Sequence, residues 1–331
     1  MVYRSGSAGR CIGMKRVLIT GANSYIGTSL KRYLLEYNDR QGRELYRVDM
    51  ISQRDSEWES YDFSGYDAVF QASGIAHVDT GSVTAEQQAL YYQVNCELAV
   101  ATARKARAAG VGLFLYPSSI IVYGDSAPYG KSRMITAQTP PNNPHFYGNS
   151  KLRAEEELGK LAGAADGDAP EGAGGGSQEM QLAILRLPMV YGRGSRGNYP
   201  MLAKLAAKLP FFPAVQNQRS MIYIENLCEF IRQQIEDGRG GLYFPQNAEY
   251  TATARMVQEI AAAHGKRVRL LKALNPLVAL ASRMPGKIGT MANKAFGSLT
   301  YDRSMSGEME SYCLYDLPES IRRTELCKKN F

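Results

Sequence analysis

The chain has 331 residues, 44% hydrophobic and 21% charged, which suits about two domain-sized units able to bury a core. Its 39 Lys and Arg against 32 Asp and Glu leave a net charge of +7, but the cations are spread along the chain. That distribution speaks against nucleic acid and fits an anionic small molecule, and no apolar run is long enough to span a bilayer.

The opening MVYRSGSAGRCIG lacks the apolar centre of a secretion signal. Residues 1–13 are expected to be a disordered leader, and the cytoplasm is the default compartment. KRVLIT (15–20) is a short β-branched run that predicts a strand, and residues 28–39 place Leu30, Tyr33, Leu34 and Tyr37 at helical spacing. Further strands are expected at 46–52, 67–73, 112–119 and 182–187. A long helix over 91–110 has Val94, Leu98, Ala101 and Ala108 on one face and Gly110 as its C-cap, and another helix covers 147–161. This alternation predicts an α/β fold with a doubly wound parallel sheet covered on both faces. Residues 162–180, rich in Gly, Ala and acid, read as a flexible insertion. From about 191 the pattern turns irregular, which suggests a smaller second lobe. NPLVALASRM (275–284) is apolar with a basic flank; it packs within that lobe or touches a membrane surface.

Five scattered cysteines without a C-x-x-C pair indicate reduced thiols, and three histidines without ligand spacing indicate no metal site.

The first strand runs into Gly21-Ala22-Asn23-Ser24-Tyr25-Ile26-Gly27 and then directly into a helix. Such a turn lets backbone N–H groups and the positive helix end hold a pyrophosphate, as in a Rossmann-type domain. Gly21 permits the tight turn and Gly27 the close helix packing, while Ser24 stands where a middle glycine is usual. Tyr147 and Lys151, at i and i+4, share one helix face, and a nearby ammonium favours the phenolate a tyrosine base requires. Ser118 and Ser119 fall at a strand C-terminus, where such sheets bind ligands.

Taken together, TGANSYIG, SSIIVYG, YGNSK and LRLPMVYG, in this order and spacing, resemble the extended short-chain dehydrogenase/reductase family. Within it the resemblance is to nucleotide-sugar epimerases and 4-ketoreductases, the group typified by UDP-galactose 4-epimerase. It implies Ser119, Tyr147 and Lys151 as the catalytic set. Tyr147 would exchange the proton of the C4 hydroxyl, Ser119 would hydrogen-bond the same oxygen, and Lys151 would bind the nicotinamide ribose. The implied cofactor contacts are Gly21, Asn23, Ser24, Tyr25, Ile26 and Gly27, then Ala72, Ser73 and Gly74, and finally Asn95, Lys151 and Pro188. Asn95 either supports the cofactor end of the site or is a solvent-facing amide. Implied substrate contacts are Asn198, Arg219 (gripping the diphosphate) and His77, which reads equally as a loop histidine. Met189 departs from the family, where many members carry a substrate-binding asparagine. Ile120 and Ile121 stand where sugar dehydratases carry Asp-Glu; neither side chain moves a proton, so dehydration is disfavoured.

The cofactor is NAD or NADP. Asp49 has roughly the separation of a ribose-binding acid, but its neighbours place it inside a strand. A strand end at Ser52 with Arg54 just beyond favours a 2′-phosphate and hence NADP. The nucleotide-binding part is expected over 14–190 with 219–245 returning to it, and the substrate lobe over 191–218 and 246–331. The expected activity is 4-epimerisation of a UDP-linked sugar. The alternatives are an NADPH-dependent 4-ketosugar reductase serving polysaccharide synthesis and a non-catalytic nucleotide sensor. A homodimer through the helices bearing Asn95 and Tyr147 is implied, with no nucleic-acid partner.

Overall fold

The computed structural model describes residues 13–76, 83–142, 145–163 and 179–326. Most of the expected leader, His77 and most of the expected insertion lie outside the described residues.

Strand β1 (Lys15–Thr20) leads into α1 (Tyr25–Gln41), which is capped by Ser24 and stops at Gly42 in the left-handed region, φ +64°. Then follow β2 (Tyr46–Ile51), a single turn α2 (Glu57–Ser60) and β3 (Ala68–Gln71). The expected 91–110 helix begins earlier, at Ala85, because Thr84 and Gln87 form a capping box that starts α3 (Ala85–Tyr92). A π-helical turn (Gln93–Glu97) joins it to α4 (Leu98–Ala108). After β4 (Leu113–Ser119) and the short β5 (Met134–Ile135) come α5 (Phe146–Gly163), β6 (Gln181–Leu187) and β7 (Met189–Tyr191).

The second half runs α6 (Asn198–Lys208), β8 (Phe211–Pro213), β9 (Met221–Tyr223), α7 (Ile224–Asp237) and β10 (Gly241–Tyr243). It ends with α8 (Thr253–Ala263), β11 (Arg269–Leu271), α9 (Asn275–Arg283), α10 (Lys287–Phe296), β12 (Thr300–Tyr301), α11 (Met309–Tyr312) and α12 (Leu317–Leu326).

Six strands form one all-parallel sheet in the order β10-β6-β4-β3-β1-β2. Successive side chains of a strand face opposite sides, and β1 shows both faces covered. Val17 and Ile19 pack with Leu30 of α1 and Leu227 of α7, whereas Leu18 packs with Ala99 and Ala103 of α4 and Ala154 and Leu158 of α5. The first cluster continues without a break into Met256, Val257 and Ile260 of α8 and Ile321 of α12. Helices α8 and α12 therefore share the core of the sheet, whereas Leu299 and Tyr301 join a separate small cluster with Val122, Tyr123 and Ile135.

Candidate active site

At the mouth of β1 the backbone of Gly21 has φ +80°, and a Cβ there would lie 2.7 Å from the Ser73 nitrogen and 2.9 Å from the Ala72 carbonyl carbon. The loops after β1 and β3 thus touch through a glycine that nothing larger can replace. At Gly27 a Cβ would meet Ser24 Oγ at 2.5 Å, so helix and strand close tightly there. Ser24 Oγ accepts from the Gly27 N–H at 3.0 Å. Its oxygen thus serves as the helix cap, while the hydroxyl proton remains a donor. The N–H groups of Tyr25 and Ile26, in the first turn of α1, have no intrahelical acceptor. Asn23 is exposed at the same loop. The Tyr25 side chain points the other way: a Cβ on Gly192 would come within 2.8 Å of its hydroxyl. Only the backbone of Tyr25 is left for a cofactor.

We expect Gly21→Ala to lower nucleotide affinity at least tenfold in a fluorescence titration, with strain of about 1–3 kcal/mol in a melt. Gly42→Ala, also left-handed but with open space around it, is the control that should strain the fold and spare binding. Unchanged affinity in Gly21→Ala would remove the phosphate from this loop.

The strand β2 ends at Ile51, with Ser52 half-buried and Arg54 exposed beyond it. Ser52 Oγ accepts from the Arg54 backbone N–H at 3.3 Å, and no ion pair engages the Arg54 side chain among the described residues. Asp49 lies within the strand, where Oδ2 accepts from the Tyr66 hydroxyl at 2.8 Å. It is not available to a ribose.

Ser119 closes β4 opposite Leu187 of β6, and Pro188 and Met189 follow that partner directly. The Ser119 hydroxyl lies near enough to the Tyr147 phenol to act on its proton affinity. Burial pushes the Tyr147 phenol up to about 12, and the Ser119 contact acts in the opposite direction. The Tyr91 ring stands edge-on to Tyr147 with centroids 5.9 Å apart. One turn further on, Lys151 is only 6% exposed; its Nζ donates to the Pro117 carbonyl at 3.0 Å and lies 4.7 Å from the Tyr116 ring centre. Burial pulls this ammonium down to about 8, with the Glu155 carboxylate raising it.

Beneath Lys151, Glu155 accepts from Arg186 Nε at 3.0 Å and Nη2 at 2.6 Å, and from the Ser118 hydroxyl. Arg186 Nη1 also donates to the Tyr123 hydroxyl at 2.5 Å. This buried pair was not singled out in the sequence, although Glu155 falls one helical turn after Lys151.

Asn95 is fully buried in the π turn. Its Oδ1 accepts from the Ile75 N–H at 2.8 Å, and its Nδ2 donates to the Ile75 carbonyl and to Ser150 Oγ, each at 3.1 Å. It is no solvent-facing amide: it clamps the loop after β3 to α5. A Cβ on Gly74 would meet Asn95 Oδ1 at 3.3 Å and Lys151 Nζ at 3.4 Å, so the three converge.

Next to Met189 opens a cavity of about 520 Å³ lined by Asn198, Arg219, Thr253, Met291, Lys287 and Lys294 among others. Burial lowers the affinity of the Arg219 guanidinium for its proton; Nη1 donates to the Lys294 carbonyl, and no carboxylate pairs with it among the described residues. A largely buried cation without a counter-ion fits an anion such as a diphosphate. The structure thus gathers Ser119, Tyr147, Lys151, Asn95 and Gly74 at one place and Asn198 and Arg219 at the adjacent cavity. Lys287 and Lys294 were missed; their signal is a segment without acidic residues from Ile260 to Tyr301.

A family model described as the NAD dependent epimerase/dehydratase family matches residues 17–244. The chain belongs to that family. It is 29% identical over 267 residues to UDP-glucose 4-epimerase of Vibrio cholerae, covering 76% of both chains. It is 28% identical over 239 residues to the N-acetyl-α-D-glucosaminyl-diphospho-ditrans,octacis-undecaprenol 4-epimerase of Escherichia coli O157:H7, covering 68% of this family member and 64% of that one. Among solved structures, human epimerase family protein SDR39U1 with NADPH superposes with a TM-score of 0.67 at 16% identity, covering 94% and 99% of the two chains. UDP-glucuronic acid 4-epimerase from Bacillus cereus with NAD gives 0.64 at 16%, covering 94% and 95%. At that identity the structures speak for the shared parallel-sheet fold. No helix among the described residues is long and apolar enough to cross a membrane, and they hold no cluster of three potential metal ligands.

Proposed function

We propose that this epimerase/dehydratase family member binds NAD(P) and catalyses 4-epimerisation of a UDP-linked sugar. The observation that carries the reading is Ser119 beside Tyr147 and the buried Lys151, adjoining a cavity whose Arg219 has no carboxylate partner among the described residues. The glycine cradle at Gly21, the free first-turn N–H groups of α1 and the convergence of Gly74, Asn95 and Lys151 fit a dinucleotide. When bound, a nicotinamide supplies hydride exchange with the C4 carbon. The chain does the rest. Tyr147 Oη takes and returns the C4 hydroxyl proton, and Ser119 hydrogen-bonds the same oxygen. Lys151, with one proton on Pro117, keeps donors for a ribose hydroxyl. Arg219 and Asn198 hold the diphosphate. Relatives named for UDP-glucose and for a polyprenol-diphosphate sugar have a diphosphate in common, which is the part these two residues suit. The aliphatic Ile120 and Ile121 leave no acid–base pair for dehydration.

A 4-ketosugar reductase is the second reading, favoured by exposed Arg54 just beyond β2 and by the engagement of Asp49 with the Tyr66 hydroxyl. A non-catalytic sensor is disfavoured by the presence of both Tyr147 and Lys151. Denaturing the purified protein and identifying released nucleotide by mass spectrometry separates the first two. Stoichiometric NAD is the expected result for a cofactor recycled in place. Retention of NADP(H) or of nothing moves the assignment to the reductase, and failure to bind either dinucleotide in titration sinks both.

A further inference from the structure

The α9–α10 hairpin carries its apolar residues outward. Leu277 and Leu280 of α9 are 62% and 64% exposed, and Ile288 and Met291 of α10 are 54% and 55% exposed, with Met284 between them at 44%. The spacing i, i+3 puts each helix's pair on one face. Packing within the lobe, the commoner expectation for NPLVALASRM, engages the opposite side. There Val278 is buried and a Cβ on Gly289 would overlap the Met284 carbonyl.

Polar bonds fix that inner side. Asn293 accepts from the Tyr129 N–H at 2.9 Å and donates to the Ser282 carbonyl at 3.0 Å, and Asn275 donates to the Ala214 carbonyl at 3.2 Å. The hairpin is thus a rigid projection with polar roots and an apolar outer surface, the reverse of an ordinary surface hairpin.

Its charge is one-sided. Residues 260–301 contain Lys266, Arg267, Arg269, Lys272, Arg283, Lys287 and Lys294 and no Asp or Glu. At the chain's rate of 32 acids in 331 residues, about four would be expected. No ion pair engages these cations among the described residues, and Arg283 and Lys287 stand at the hairpin tip. A two-fold pairing of copies through this face would set those cations against themselves. An anionic bilayer complements both the apolar face and the charge.

We propose that the α9–α10 hairpin is a membrane-docking element that seats the cavity mouth on an anionic lipid surface. Lys287, Met291 and Lys294 line the cavity from this same hairpin, so docking brings it to the height of lipid headgroups.

The test is flotation of the full chain with phosphatidylcholine vesicles, with or without 30 mol% phosphatidylglycerol, and it requires no turnover. The wild type should float with the anionic vesicles only, and less so in 0.5 M NaCl. Leu277→Ser/Leu280→Ser should cut the floating fraction at least tenfold while the melting curve is unchanged; these residues touch neither the cavity nor the catalytic set. Arg283→Glu should weaken binding at low salt. No flotation of the wild type, or equal flotation of the double variant, overturns the proposal. So does a change from dimer to monomer in the double variant without a loss of lipid binding, which would assign the face to a second copy.

Discussion

Tyr147→Phe should lower kcat by about 10²–10⁴-fold, the range for loss of a positioned proton-transfer group, with KM changed little. The ring can stay in place, because its edge-on contact with Tyr91 and its helix need no hydroxyl. What is lost is the phenol oxygen beside Ser119. Fluorescence titration of the dinucleotide should be near wild type, so a defect in binding can be told from one in chemistry. Undiminished turnover of every accepted sugar nucleotide would displace Tyr147 from the reaction. The pH profile follows from the neighbouring lysine. Burial has already drawn Lys151 down to about 8. Below that pH the ammonium is charged; above it both the charge and a donor fade. We therefore expect kcat/KM of the free enzyme to fall on the alkaline side near pH 8. A flat profile from 7 to 10 would contradict this.

Arg186→Leu should destabilise the fold by about 3–5 kcal/mol in denaturant unfolding, since it leaves the Glu155 carboxylate buried without its bidentate partner. The double variant Glu155→Leu/Arg186→Leu should recover most of that loss, because two apolar side chains remove the uncompensated charge along with the attraction. A single-variant loss under about 1 kcal/mol, or a double variant no better than the single, would refute this account. The double variant should also expose what the pair does for catalysis. Glu155 raises the affinity of Lys151 for its proton, so the alkaline limb should move to lower pH once that carboxylate is gone.

Much of this was legible because the informative residues sit at element boundaries. Gly21 and Ser119 stand where a strand gives way to a loop, Met189 stands where β7 begins just after β6, and Tyr147 and Lys151 need only helical periodicity to share a face. Other features depend on contacts across the sheet. Nothing in the run Ala85–Ala108 announces a π turn, and its apolar spacing around 91–98 reads as a continuous α-helix. The capping box at Thr84 and Gln87, three residues apart, is itself a local signal for a helix start at Ala85. Ser24 stands where a middle glycine is usual, and what the sequence does not display is that its side chain caps α1 by accepting from the N–H three residues on. The pairing of Glu155 with Arg186 joins α5 to β6 across 31 residues and has no local signature. Arg219 could be matched to a family motif, whereas Lys287 and Lys294 join it only through the fold of the last third of the chain.

The π turn at Gln93–Glu97 has a consequence for anyone exchanging parts between relatives. Such a turn holds one residue more than an α-turn, so side chains of α3 run about 100° out of phase with those of α4. That offset lets Tyr91 face Tyr147 while Asn95 faces Ile75 and Ala99 faces the sheet. The count of residues between Tyr91 and Ala99 is therefore as binding as their identities. Removing one would let the helix run on as a regular α-helix and swing the aromatic side away from the catalytic tyrosine, even in a chimera that preserved every residue of the site.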